Sequence, residues 1–219
     1  MKNNHKKLIA SIALVGTMAA GGTFALLQTT TGTATNNFTS TKNIKGVLYE
    51  DNFKGTNVTS TRQDLADGVN HIVGGTWEGY LPTQTQAKDP TIKILDTSVP
   101  AYVGMKVTFK IDDKVVSKTE FEKRLAHVDG INTNWTEISD KTDNTYFYSY
   151  NAVVTNGAET SPLFNSVTIN KTIYSDEAQT NEVTGQLPSF EIKAEGYAVQ
   201  AEGTTTSHDG DLLALAKVK

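Results

Sequence analysis

No cysteine occurs in the 219 residues, which excludes a thiol nucleophile, a cysteine-ligated zinc and an iron–sulfur cluster. The disulfides that commonly brace chains outside the cell are excluded with it, so packing and hydrogen bonds must hold the fold. Histidine is scarce, with only His5, His71, His127 and His208. No two of them are spaced i, i+4, and the HExxH pattern that puts two zinc ligands on one helical face is missing. No serine stands in a G-x-S-x-G elbow. Asp209-Gly210-Asp211 offers two carboxylates without the ligands that complete a calcium loop, so a solvated tail turn is expected there. The expectation is a protein with no catalytic residue, no metal site and no cofactor. Positive charge is also short: Lys and Arg number 20 against 24 Asp and Glu, a net charge of −4. Nothing in that balance would neutralise phosphates, and nucleic acid is excluded as a partner.

What is present begins with Lys2, Lys6 and Lys7, followed by an apolar run from Leu8 to Leu27 broken by Gly16, Gly21 and Gly22. A basic segment and then an apolar one is the layout of a secretory signal peptide. A membrane span needs about 20 predominantly apolar residues, and the Gly, Ser and Thr content weakens this run for that purpose. Cleavage between Ala25 and Leu26, with Thr23 at −3, fits the small-residue rule; cleavage after Ala34, with Gly32 at −3, is a second position. Removing residues 1–25 from 219 leaves 194 and takes three lysines, so the charge moves from −4 to −7. That length suits one β-sandwich domain, read here as 43–203 with a C-terminal tail over 204–219.

Residues 26–42 are rich in Thr and Asn and nearly uncharged. Threonine favours extended backbone, yet the segment has too little apolar surface to bury itself. It reads as a leader or as a strand that adds to another chain's sheet, with Leu26, Leu27, Thr29, Thr31, Thr33 and Phe38 as its contact residues. Residues 43–51 have strand character, with Ile44, Val47 and Tyr49 inward. Residues 52–71 read as a polar loop, and Gly74–Pro82 as turns carrying Trp77 and Tyr80. Ile92 and Ile94 alternate with Lys93 and Leu95. Across 101–112, Val103, Met105, Val107, Phe109 and Ile111 fall on one side of a half-buried strand.

Residues 117–128 give the best helical pattern, with Thr119 as cap, Glu122 completing a capping box, Phe121, Leu125 and Val128 on one face, and Gly130 as terminator. Thr145–Thr155 is an aromatic and β-branched strand closed by the turn dipeptide Asn156-Gly157. Tyr146, Tyr148 and Tyr150 share one face of it, expected to pack under the helix, with Phe147 in the sandwich. A strand over Leu163–Ile173 follows. In Ser189–Gly203, Phe190, Ile192 and Ala194 alternate with charged residues; Gly196 is read as a bulge, after which Tyr197, Val199 and Ala201 continue. The fold class expected is all-β, a jelly-roll-like sandwich with one helical insertion. Leu81–Thr85 has some likeness to a sortase signal but carries Gln84 where Thr is required, and the final LLALAKVK is a short amphipathic piece expected to dock or fray.

Four stretches in order carry a resemblance. Gly21–Leu26 (GGTFAL) resembles the end of signal peptides cut by a dedicated signal peptidase in the TasA/camelysin family. Lys88–Val107, Asn134–Phe164 and Phe190–Gly203 resemble successive conserved segments of the same family. Gly104 departs from it, standing where Arg is common, and residues 52–80 have no counterpart. The resemblance implies a jelly-roll subunit that is exported past its signal peptidase and built into extracellular biofilm matrix or surface fibres; the lack of cysteine in an exported chain is associated with a Gram-positive cell surface. The subunit's partners would be copies of itself, joined head to tail through the N-terminal strand, and accessory matrix proteins. A monomeric secreted adhesin of the same fold is the alternative. The metallopeptidase label attached to camelysin has no ligand pattern here to support it.

Overall fold

The computed structural model describes residues 44–65, 67–139, 144–171, 187–201 and 208–217. Twelve strands lie in this range: β1 (Gly46–Tyr49), β2 (Val58–Asp64), β3 (Asn70–Trp77), β4 (Thr85–Ala87), β5 (Thr91–Ile94), β6 (Ala101–Ile111), β7 (Lys114–Val116), β8 (Ala126–Asp129), β9 (Trp135–Glu137), β10 (Thr145–Tyr150), β11 (Ser166–Ile169) and β12 (Phe190–Gln200). Two helices accompany them, α1 (Lys118–Arg124) and α2 (His208–Lys217). Every ladder is antiparallel, and the fold is all-β as expected. The main sheet runs β12-β6-β10-β9, with β7 also on β6; the other ladders are β1-β5, β4-β11-β8 and β2-β3.

The longest pairing is β6 with β12, unbroken over eleven residue pairs from Ile111↔Phe190 to Ala101↔Gln200. Val103, Met105, Val107, Phe109 and Ile111 are all buried in one core, as their period of two requires. Opposite them in β12 stand Ala198, Gly196, Ala194, Ile192 and Phe190. The first three, small residues, face larger ones of β6, while Ile192 and Phe190 set large against large. The other face changes character halfway along. Toward Ile111 it is charged, with Lys106–Glu195 at 3.1 Å and Lys110–Glu191 at 3.3 Å. Toward Ala101 it is covered by α2, whose Leu212 and Ala216 are buried beside Gly104, Phe147 and Tyr197.

That cover corrects several expectations. Gly196 pairs with Met105 without a register shift, so there is no bulge; Tyr197 and Val199 break the alternation because α2 makes their face apolar too. The C-terminal piece docks, and Asp209–Asp211 begin a helix rather than a tail turn, giving two helices where one was expected. Phe147 is buried on the α2 side, in register with Lys106. Tyr146 and Tyr148 instead take the core face, paired with Val107 and Met105. The Tyr146 hydroxyl accepts from the backbone N–H of Lys118 at the start of α1, so this face does pack under that helix.

α1 is shorter than its pattern suggests. Ser117, not Thr119, is the N-cap, its hydroxyl accepting from Glu120 N at 3.0 Å. The helix ends at Leu125, and Val128 belongs to β8, pairing with Val167 of β11. Sheet pairing outweighs one more turn of marginal helix. Phe121 and Leu125 are buried as expected. The turn at Asn156-Gly157 is present, with Ala158 N bonded to Thr155 O and Gly157 at φ +76°.

The largest correction lies in 52–80, which is a hairpin rather than loop and turns. β2 and β3 pair from Val58↔Trp77 to Asp64↔Asn70, with a register shift between Thr61 and Arg62. The extra residue is Val73, and both Ile72 and Val73 are buried. Gly75 is required because a Cβ there would meet Thr59 O at 2.2 Å. In β1 all four residues are buried, since Ile44 and Leu48 face the main core while Val47, Tyr49 and Leu95 form a second small cluster.

Candidate functional site

Two features stand out, a cavity at one end of the sandwich and a charged cluster at the root of the β2–β3 hairpin. The cavity encloses about 470 Å³. Its walls come from three places: Phe53, Gly75 and Trp77 on the hairpin side, Gln86 and Lys88 beside β4, and Leu187–Ile192 at the start of β12. An aromatic chain runs inward from it. Trp77 lies 5.8 Å from Tyr80, Tyr80 5.2 Å from Phe190, Phe190 5.8 Å from Phe121, and Phe121 5.0 Å from Phe109. The Tyr80 hydroxyl donates to Pro188 O, tying the loop after β3 to the entry of β12. The cavity floor is therefore continuous with the core, and an apolar side chain entering it gains burial against these rings.

Beside this cavity runs the outer edge of β12. Among the described residues β12 is hydrogen-bonded to β6 alone and ends the sheet. Among the described residues no strand is hydrogen-bonded to the other edge of β12, although β1 approaches it, and backbone groups left free there are a template for another extended chain.

One polar pair anchors the cavity wall. The Lys88 ammonium donates to both oxygens of Glu50 at 2.7 and 2.8 Å, with both side chains buried, and it lies 5.6 Å from the Phe53 ring centroid. Neutralised in this way, Lys88 offers the cavity no free charge. The cavity walls are mostly apolar, with Gln86, Ser189 and Glu191 among them.

In the second cluster, His71 on β3 is 5 % exposed. Its Nδ1 lies 2.7 Å from Asp51 Oδ2 and its Nε2 2.9 Å from Asp67 Oδ2. Lys93 of β5 donates to the same Asp67 oxygen at 2.8 Å, and Tyr49 stacks on the imidazole at 4.1 Å while donating to Glu159 at 2.5 Å. A carboxylate oxygen against each ring nitrogen is satisfied on both sides when both nitrogens carry a proton, so the geometry favours the imidazolium form of His71. Burial alone would lower its pKa, but the hydrogen bonds to Asp67 and Asp51 outweigh that and raise it. Burial, then the Glu159 acceptor, pushes the Tyr49 phenol up. Both ring nitrogens are spent on carboxylates, and among the described residues no group of three or more His, Asp or Glu is arranged to hold a metal.

The remaining sequence candidates are scattered. His127 pairs with Asp129 at 2.9 Å on the surface of β8, and His208 stacks on Tyr102 at 4.2 Å. Leu81 is exposed in the turn before β4. Ala25, Leu26, Leu27, Thr29, Thr31, Thr33 and Phe38 lie outside the described residues. No described helix is long and apolar enough to cross a membrane. Sequence reasoning found Trp77 and Tyr80 but not the cavity, because its walls are up to 139 positions apart, from Phe53 to Ile192. Comparison of the chain with protein-family models, with curated proteins and with solved structures gave no match.

Proposed function

We propose that the chain is an exported structural subunit of the TasA/camelysin type, with jelly-roll architecture, that polymerises head to tail into extracellular matrix or surface fibres. In this reading the segment Leu26–Ser40 of one copy lies along the outer edge of β12 of the next. Phe38, at one end of the segment, enters the aromatic cavity, and Leu26 and Leu27, about 40 Å away along an extended strand, pack at the far end of the edge. Main-chain hydrogen bonds supply much of the affinity and the anchors set the register.

The observation that carries the reading is the placement of the two ends of the contact. The described chain enters the fold at Ile44 and Lys45, where Lys45 N bonds Ser98 Oγ and Ala201 N bonds Pro100 O. That is the Ala101–Gln200 end of the β6–β12 ladder. The cavity is lined by the other, Phe190 end of β12, and the β6–β12 ladder between the two ends is about 33 Å long. A leader that starts at one end of this edge is long enough to lie along the edge of its own chain or of a neighbour; donation to a neighbour is a heterologous contact that propagates without closing.

Among the described residues, every member of the main core lies between Ile44 and Ala216, and the chain without residues 1–42 is expected to keep that core. That truncated chain is expected to stay monomeric by light scattering, while the chain from Leu26 onward forms pelletable filaments. A synthetic Leu26–Ser40 peptide is expected to bind the truncated chain and to stop filament growth. Filaments from the truncated chain equal to those of the longer one would refute donation of this segment.

A further inference from the structure

We infer that protonated His71 is a pH-sensitive clamp that holds the β2–β3 hairpin against β1 and β5 and thereby holds one wall of the cavity in place. The clamp stands on its own geometry; its consequence for fibre growth rests on the function proposed above.

The contacts define what the clamp joins. Asp51 follows β1 and binds β3 twice, through Oδ2 to His71 Nδ1 and through Oδ1 from Ile72 N at 2.8 Å. Asp67 sits in the connection between β2 and β3, accepts from Val69 N at 3.0 Å, and is reached by His71 from β3 and by Lys93 from β5. Tyr49 of β1 stacks on the ring, and Glu159 accepts its hydroxyl proton. These are the charged and titratable groups that bear on the imidazole from its own hairpin, from β1, from β5 and from the 155–160 segment. Asp51, Asp67 and Glu159 are negative, and His71 and Lys93 are positive. With His71 charged, each aspartate has a cationic donor and one residual negative charge remains at Glu159.

Removing the His71 proton leaves an imidazole with one N–H and one lone pair. One carboxylate oxygen then faces a lone pair at under 3 Å, and two residual charges share the cluster. Asp67 keeps Lys93 and has a side chain only 6 % exposed; the Asp51 side chain is 42 % exposed. Asp51 therefore turns to water, and its bond from Ile72 N goes with it. Ile72 is five residues before Trp77 on the same strand, so the strand that carries Gly75 and Trp77 loses one of its two ties at Ile72 and keeps the bond from Glu50 N to Ile72 O at 2.7 Å. The His71 pKa is raised on folding, so the clamp's contribution is fully present below the unfolded value and is lost as pH rises through the folded one.

Imidazole ¹⁵N shifts of His71 and amide protection factors for Ile72–Trp77, measured on the chain from Leu26 onward across an alkaline pH series, read the clamp directly. Protection normalised for intrinsic exchange is expected to fall about tenfold as His71 loses its proton, the scale of one charge-assisted contact. Asp51→Asn keeps an acceptor for Ile72 N and gives a neutral imidazole an amide donor, so protection in that variant should stay flat over the same range. His71→Gln should sit at the loosened level at every pH. Protection that ignores the His71 titration, or an Asp51→Asn profile identical to wild type, overturns the clamp. Light scattering of the same samples tests the link to assembly, with slower filament growth expected above the His71 titration. If protection tracks His71 while no filaments form at any pH, the clamp stands and the assembly reading fails.

Discussion

The Lys88 ammonium donates to both carboxylate oxygens of Glu50, and the pair joins the end of β1 to the strand-like stretch before β5 across 38 positions of sequence. Each charge was taken from water to reach this place, so each depends on the other. Removing one partner of such a pair costs about 3–5 kcal/mol, whereas replacing both by apolar groups of similar size is often neutral.

Lys88→Met alone is therefore expected to lower stability by about 3–5 kcal/mol, measured by urea unfolding. Adding Glu50→Leu should recover most of the loss, because no buried carboxylate is then left without a donor. A double variant no better than the single one would mean that the pair contributes mainly through packing against Phe53.

Phe109→Ala tests the aromatic column. Phe109 is 2 % exposed, 5.0 Å from Phe121 and 5.8 Å from Tyr146, and no disulfide offsets the cavity that its loss would leave. A cost of about 3–5 kcal/mol is expected. Melting at the wild-type temperature would mean that the core collapses to fill the space. Trp77→Ala, at the outer end of the same column, should cost less in stability but weaken binding of the Leu26–Ser40 peptide.

These residues also divide what was legible in the sequence from what was not. The inward face of β6 could be read from its period of two, because a long strand beside one core repeats the signal five times. The strand period of β12 failed at Gly196, where α2 turns a polar face apolar through contacts that no local pattern encodes. β2 reads VTSTRQD, with Val58 its one apolar residue, and its partner β3 carries two glycines; pairing, a bulge and the His71 cluster form the hairpin, not hydrophobic periodicity. His71 could be seen as a lone histidine but not as an imidazolium, since its aspartates come from positions 51 and 67 and its stacking tyrosine from 49. The two ends of the proposed contact are likewise products of topology alone.

Gly104 lies directly against Leu212 of α2, which leaves little room for a side chain at 104. A Cβ there would lie 3.3 Å from Leu212 Cδ1 and 3.1 Å from Tyr148 O, and a branched residue would press directly on α2. Gly104→Val is expected to cost about 1–3 kcal/mol by overpacking and to raise hydrogen exchange throughout 208–217. Leu212→Ala should partly rescue the Gly104→Val variant, although it is destabilising by itself. If the two costs simply add, the valine is being accommodated by the β6–β10 backbone and α2 is not the element displaced.

Acid stability gives the last prediction. At Asp67 burial alone would raise the pKa, but hydrogen bonds from Lys93 and His71 outweigh it and hold the carboxyl far below the usual range. At Asp129 burial also acts upward and is overcome by the Thr168 and Ser166 hydroxyls and by His127; at Glu195 it is overcome by Lys193 and Lys106. Each group has a lower pKa folded than unfolded. The stability they contribute is present above the unfolded values, about pH 4, and is lost as pH falls through the folded ones. Asp89 runs the other way, because burial raises its pKa, so protonating it offsets part of the loss. The net expectation is a melting temperature level near neutrality that falls below about pH 4. Asp67→Asn should cost about 1–3 kcal/mol at pH 7, the scale of a lost hydrogen bond to buried charged partners. It should also flatten the acid limb, since the group that titrates lowest is gone. An acid limb unchanged in that variant would show that Asp129 and Glu195 carry the dependence, and would remove Asp67 from the interactions that set stability at low pH.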